Sequence, residues 1–165
     1  MGSASKMGLL LLFAAAALMG ALQAQGQKTA AIAFPKGYRH WTLVKSMVIF
    51  SNQHPLYEKF GGLHNVYVND TGLPSLQQGK AYADGAILVF DLYDISSGRG
   101  AIETRSRKFI AVMKKNAKLY AQTGGWGFEV FRGDEEKGSL QDTKSCFDCH
   151  AQKKLADYVY STYTP

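Results

Sequence analysis

Both cysteines of the chain lie in one short motif, Cys146-Phe147-Asp148-Cys149-His150. A C-x-x-C pair can form a thioredoxin-like redox centre, supply half of a zinc site or, with a following histidine, attach a c-type haem. The redox motif belongs beside a βαβ unit and zinc needs further ligands, and the sequence offers neither. Haem attachment therefore explains the motif best, with a local disulfide as the structural alternative.

The spacing of the motif suits covalent haem attachment for a physical reason. Two thiols three residues apart lie on one side of a helical turn, so both can reach vinyl groups on one edge of a planar macrocycle. His150 follows the second thiol directly and is predicted to project beneath the ring centre. We expect one covalently bound haem c, attached through Cys146 and Cys149, with His150 as an axial iron ligand.

The first 24 residues have the pattern of a secretory signal peptide. Lys6 gives a positive start, residues 7–19 are an unbroken apolar run, and residues 20–24 (GALQA) are small and mildly polar. The run is shorter than the ~20 residues of a membrane span, so we expect cleavage near Ala24 and no stable membrane insertion. The mature domain would cover residues 25–165. We expect a periplasmic location, since bacteria attach haem c outside the cytoplasm.

The charge of the chain is mildly basic, with a formal net charge of +6. Its lysines and arginines are scattered or stand in short clusters, and no nucleic-acid-binding module accompanies them. An exported protein also rarely meets nucleic acid. We therefore expect no nucleic-acid partner.

The hydropathy pattern predicts mainly antiparallel strands followed by one helix. A continuous apolar run at residues 86–93 (AILVFDLY) is typical of a strand buried on both faces. Thr143 or Ser145 is predicted to cap a short helix that carries the cysteine motif and runs to about Tyr158. The fold class is thus α+β, mainly antiparallel β-sheet with a C-terminal helix that carries the haem-attachment motif. The other predicted strands are residues 41–49, 63–69, 107–115 and 126–132, with a loop at 77–80 and a turn at 96–100.

Several further stretches accompany the cysteine motif in a characteristic order. They are residues 34–39 (FPKGYR) with Trp41, residues 66–69 (VYVN), Asp84-Gly85, residues 124–129 (GGWGFE) and residues 157–160 (DYVY). Together they resemble the cytochrome P-460 family over nearly all of the mature chain. The resemblance implies a mainly antiparallel β fold, a pentacoordinate c-type haem and a homodimer.

The family resemblance also distinguishes two branches. In the P-460 branch a lysine is cross-linked to the haem and the protein oxidises hydroxylamine. The resemblance places that lysine at Gln77 or Gln78, neither of which can form the bond; Lys80 is nearby and stays a candidate for a cross-link. The chain looks closest to the cytochrome c′-beta branch, which lacks the cross-link and binds nitric oxide and carbon monoxide beneath a phenylalanine cap.

The distal side of the haem has two candidate residues, Phe60 and His64. Phe60 is the candidate cap, with core packing as its alternative, and His64 could supply a proton donor or a sixth ligand. The leading hypothesis is an exported cytochrome whose haem binds nitric oxide or a similar small gaseous ligand. The alternatives are a P-460-type hydroxylamine or nitric oxide oxidoreductase, and a six-coordinate electron carrier with His64, Met47 or Met113 as sixth ligand and a redox partner protein.

Overall fold

A computed structural model describes residues 31–164, so the predicted signal peptide lies outside the described residues. Five strands form one antiparallel sheet in the order β1-β2-β3-β4-β5. Each strand pairs with the next strand along the chain, which makes the sheet a simple meander. The strands are β1 (Thr42–Ile49), β2 (Gly62–Val68), β3 (Ile87–Gly98), β4 (Ala101–Lys115) and β5 (Trp126–Arg132).

Three short helices accompany the sheet, and none between residues 31 and 164 is long and apolar enough to cross a membrane. They are α1 (Tyr57–Phe60), α2 (Leu73–Gln78) and α3 (Thr143–His150), with 3-10 helices at Tyr38–His40, Ala121–Thr123 and Ala151–Ala156. The helix α3 contains the whole cysteine motif. The predicted α+β fold, with a motif-bearing helix near the C-terminus, is confirmed.

Four predicted boundaries were wrong by more than one residue, and one of them is the start of β4, which lies at Ala101 instead of residue 107. The α-helix ends at His150 instead of continuing to Tyr158, because the next six residues form a 3-10 helix with a non-helical residue at Lys153. Gln77 and Gln78 lie in α2 and not in a loop. Residues 96–98 continue β3, where Ser96 and Ser97 pair with β4. Residues 96–98 (SSG) contain no apolar side chain, so no hydropathy alternation signals the extra strand length.

Both faces of the sheet are covered, as the apolar run of β3 predicts. Leu88 belongs to one buried cluster and its neighbour Val89 to the other, because successive side chains of a strand point to opposite faces. Cys146 and Phe147 of α3 pack against the cluster of Leu88. We call this side of the sheet the motif face, and the side of Val89 the opposite face.

Candidate haem site

The helix α3 is started by a side-chain cap that precedes the cysteines. Asp142 is the N-cap residue, and its carboxylate accepts a hydrogen bond from the backbone N–H of Lys144 at 2.9 Å. Such a cap satisfies one of the helix's unpaired N–H groups and stabilises it by about 1 kcal/mol. The helical turn then carries both thiols, which are free, with Cys146 half-buried and Cys149 exposed. The local disulfide considered from the sequence is therefore not formed.

The His150 imidazole is held by a single backbone carbonyl. Its Nδ1 lies 2.7 Å from the carbonyl oxygen of Tyr158. Because a carbonyl can only accept, Nδ1 carries the proton and Nε2 keeps its lone pair. The ring also lies against Phe128 and Tyr160, with centroid separations of 5.3 and 5.2 Å. Burial lowers the pKa of His150, which favours the neutral imidazole that a metal requires.

The segment that supplies this carbonyl has an unusual backbone. Asp157 and Tyr158 both adopt positive φ, 48° and 66°, although neither is glycine. Such left-handed conformations cost about 1–2 kcal/mol for each residue, so surrounding contacts must hold them. One of those contacts is an ion pair between Asp157 and the buried Lys115 at the end of β4. This ion pair was not predicted, since in the sequence Lys115 is only the charged end of a predicted strand.

A second group of side chains on the motif face consists of Phe60, His64, Phe90 and Phe109, which we call the aromatic cluster. His64 stacks on Phe90 at 4.4 Å, and Phe60 meets Phe90 and Phe109 edge-on at 5.6 and 6.2 Å. The structure thus brings the two predicted distal residues together. Phe90 and Phe109 were missed. Phe109 lies in one cross-strand row with His64 and Leu92, whereas Phe90 lies in the row of Val66 and Ala111.

His64 is the polar member of the aromatic cluster. It is only 5% exposed, and its Nδ1 has no hydrogen-bond partner among residues 31–164. Burial, with a smaller contribution from the Lys45 charge, lowers the pKa of His64 to about 4. The side chain is therefore neutral at pH 7. Buried polar atoms are nearly always paired, so an unpaired one on this face marks a position where a bound group could supply the partner.

The aromatic cluster and the cysteine motif lie close together. Lys59, next to Phe60 in α1, is near enough to Cys146 for its charge to oppose the rise in thiol pKa that burial causes. Phe90 packs against the same buried cluster as Cys146 and Phe147. The two candidate parts of the site therefore share one face of the sheet.

The remaining sequence candidates lie around this face. Gln77, Gln78 and Lys80 are exposed at the end of α2, whose Leu76 packs into the buried cluster of the motif face. Met113 packs against that cluster, whereas Met47 is 38% exposed on the edge strand β1. Between residues 31 and 164, no three His, Cys, Asp or Glu side chains gather as a metal site.

The residues of the motif face fit a haem. Two free thiols stand on one helical turn, an imidazole offers Nε2 while its Nδ1 is engaged, and an aromatic wall lies nearby. Cys146, Cys149 and His150 would hold such a haem, whose iron would supply redox or ligand-binding chemistry.

Comparison with known proteins agrees with this assignment. A family model described as Cytochrome P460 matches residues 35–161, a range that includes β1 to β5, the aromatic cluster and the cysteine motif. A search of curated proteins gave no match. The family implies a haem cofactor and its iron. The chain therefore belongs to the cytochrome P460 family of haem-binding cytochromes.

Proposed function

We propose that the protein is an exported mono-haem c-type cytochrome that binds nitric oxide or a similar small diatomic at a pentacoordinate haem. The observation that carries the proposal is the His150 contact. Its Nδ1 is occupied by the Tyr158 carbonyl at 2.7 Å, which leaves Nε2 for iron within a C-x-x-C-H turn. The aromatic cluster on the same face gives the other side of such a site an apolar wall.

In this proposal Cys146 and Cys149 hold the haem covalently. Each thiol adds across one vinyl group, with sulfur bonded to one carbon and the hydrogen delivered to the other. Cys146 is half-buried against the motif face and Cys149 is exposed, so the attached edge would lie at the rim of the site. Attachment at two points would hold the cofactor even where the protein encloses it only partly.

The aromatic cluster suits neutral ligands better than charged ones. Phe60, Phe90 and Phe109 offer no hydrogen-bond donor or acceptor, so an ionic ligand would lose its hydration without compensation. His64 is neutral at pH 7 because burial holds its pKa at about 4. It adds no positive charge that would attract an anion. A neutral diatomic such as nitric oxide has little hydration to lose and needs no positive charge to attract it.

The wider setting of the proposal rests on the sequence. The apolar run at residues 7–19 supports export to the periplasm, and the family resemblance supports a homodimer. Neither a nucleic-acid partner nor stable membrane insertion belongs to the proposal. A redox partner protein would be needed only if the iron changes oxidation state in turnover.

The first experiment is an optical spectrum of the ferrous protein, matured in a periplasm with haem-attachment machinery, before and after carbon monoxide is added. A high-spin spectrum that shifts on carbon monoxide supports an open site, and nitric oxide is then the next ligand to titrate. A low-spin spectrum that ignores carbon monoxide contradicts the proposal. His64→Leu, Met47→Leu and Met113→Leu would then identify the sixth ligand of an electron carrier.

Mass spectrometry of the haem peptides tests the branch of the family. We expect haem on the peptide of Cys146 and Cys149 alone. A further covalent link from Lys80 would contradict the c′-beta-like proposal and favour a P-460-type oxidoreductase acting on hydroxylamine or nitric oxide. Lys80→Arg is the matched variant, because it keeps the charge and removes the amine.

A further inference from the structure

We propose that the Lys115–Asp157 ion pair positions His150 by fixing the Tyr158 carbonyl that holds its Nδ1. The inference rests on the proposed role of His150 as axial iron ligand. Lys115 and Asp157 touch neither the imidazole nor the thiols, so they are positioning residues.

The ion pair is short, two-pronged and nearly closed to solvent. The Lys115 ammonium donates to both carboxylate oxygens of Asp157, at 2.7 and 2.9 Å, and to the carbonyl of Gly124 at 3.2 Å. It also lies 4.9 Å from the centre of the Trp126 ring. The two side chains are only 9% and 13% exposed. Separating such a pair is costly, because each buried charge would lose its oppositely charged partner.

Asp157 is tied down at two further points. Its Oδ2 accepts a hydrogen bond from the backbone N–H of Tyr82 at 2.7 Å, and its carbonyl accepts one from the Trp126 indole at 2.8 Å. These bonds join Asp157 to β4, to β5 and to the segment before β3. They fix the residue in its left-handed conformation and so set the direction of the chain into Tyr158.

The next carbonyl along the chain is the one that receives His150. Tyr158 is also left-handed, and its backbone N–H donates to the Lys153 carbonyl at 2.8 Å. Its own carbonyl lies 2.7 Å from His150 Nδ1. A partner on the outer nitrogen of a metal-binding histidine fixes the tautomer and ring orientation and raises the basicity of the inner nitrogen. The ion pair therefore controls both the orientation of the His150 ring and the basicity of its Nε2.

The opposite face of the sheet supplies a matched control. Asp91 and Arg107 form an ion pair at 2.7 Å, with side chains 0% and 9% exposed. Asp91 also accepts from the hydroxyl groups of Tyr38 and Tyr93 at 2.5 and 2.8 Å. This pair is as buried as the first, but it packs on the face turned away from α3. Breaking it costs stability without reaching His150.

The test compares Asp157→Asn, Lys115→Met, the double variant and the control Asp91→Asn, all as haem-loaded full-length protein. The readouts are the iron–histidine stretching band of the ferrous protein in resonance Raman spectra, the reduction potential, and chemical unfolding. We expect both single variants to move the stretching band to lower frequency and the potential to more positive values, since a looser Nδ1 hydrogen bond makes His150 a weaker donor. Asp91→Asn should lower the free energy of unfolding and leave the stretching band and the reduction potential at their wild-type values.

The double variant separates positioning from stability. It leaves no unpaired buried charge, so we expect its stability to recover relative to the single variants while the stretching band stays shifted. It also carries the test if a single variant fails to fold. A band that returns to the wild-type frequency in the double variant, or that Asp91→Asn shifts equally, overturns the inference. A wild-type protein with no iron–histidine band would instead overturn the proposed role of His150.

Discussion

The buried imidazole of His64 makes a sharp prediction about the pH dependence of stability. Its pKa in the folded protein is about 4, against 6.5 for an ordinary histidine. Between these values the unfolded chain binds a proton that the folded protein does not. Stability is therefore fully present above pH 6.5 and is lost as the pH falls towards 4.

The size of this effect follows from the two pKa values. Each unit of pKa difference corresponds to about 1.4 kcal/mol, and most of the unfolded-state protonation is complete at pH 5. Lowering the pH from 7 to 5 should therefore cost the folded protein about 2 kcal/mol through His64 alone. Replacing His64 with leucine removes this contribution and fills the place of an unpaired buried nitrogen with apolar atoms.

The measurement is guanidinium unfolding of the wild type and His64→Leu at pH 7 and pH 5. We expect the wild type to lose about 2 kcal/mol more than the variant over this interval, and the other titrating groups cancel in the comparison. Phe109→Leu is the matched control, because it disturbs the same aromatic cluster without removing a titrating group. It should lower stability by a similar amount at both pH values.

Equal losses in the wild type and in His64→Leu would refute the reasoning. That result would mean that the folded protein protonates His64 as readily as the unfolded chain does. His64 would then be paired and solvated in the folded protein, and the aromatic cluster would not have the apolar character assigned to it.

Two further predictions concern the support of the motif. Gly124→Ala should destabilise the protein by clearly more than Gly79→Ala. Both glycines have positive φ, 64° and 62°, but an added Cβ would collide with the Tyr158 ring at Gly124 and would meet open space at Gly79. Thermal unfolding of the two variants measures the difference, and equal losses would contradict the close contact. Asp142→Ala should lower stability by about 1 kcal/mol through loss of the α3 cap, whereas Asp142→Asn should retain most of it, as chemical unfolding would show.

The sheet was predictable because each strand carries its own signal. The alternation in residues 63–69 is typical of a strand with one buried face, and the structure shows that the buried face is that of His64, Val66 and Val68. The continuous run of residues 86–93 correctly indicated burial on both sides. The end of β3 and the start of β4 were not predictable, since the outer part of their hairpin is largely exposed, mostly polar and outside both buried clusters.

The support of the candidate site could not be predicted in the same way. Lys115 and Asp157 are 42 residues apart, and nothing in their neighbours indicates that two charged side chains meet in the interior. Asp91 stands inside an apolar run, and nothing in the sequence around it indicates its pairing with Arg107. The position of the thiols was predictable, because their chemistry and their spacing lie within one helical turn.

The meander order of the strands has a consequence for how the cytochrome matures. Every pairing between the five strands joins neighbours in the chain, so the hydrogen bonds between strands from Thr42 to Arg132 need no later segment. Pairing strands that are neighbours in the chain closes shorter loops, and so costs less chain entropy, than pairing strands that are far apart in sequence. The helix with the thiols comes after the sheet in the chain and packs onto its finished face. A haem would thus bind to a sheet whose strands are already paired. We expect the sheet to keep its strand pairing if the haem is removed.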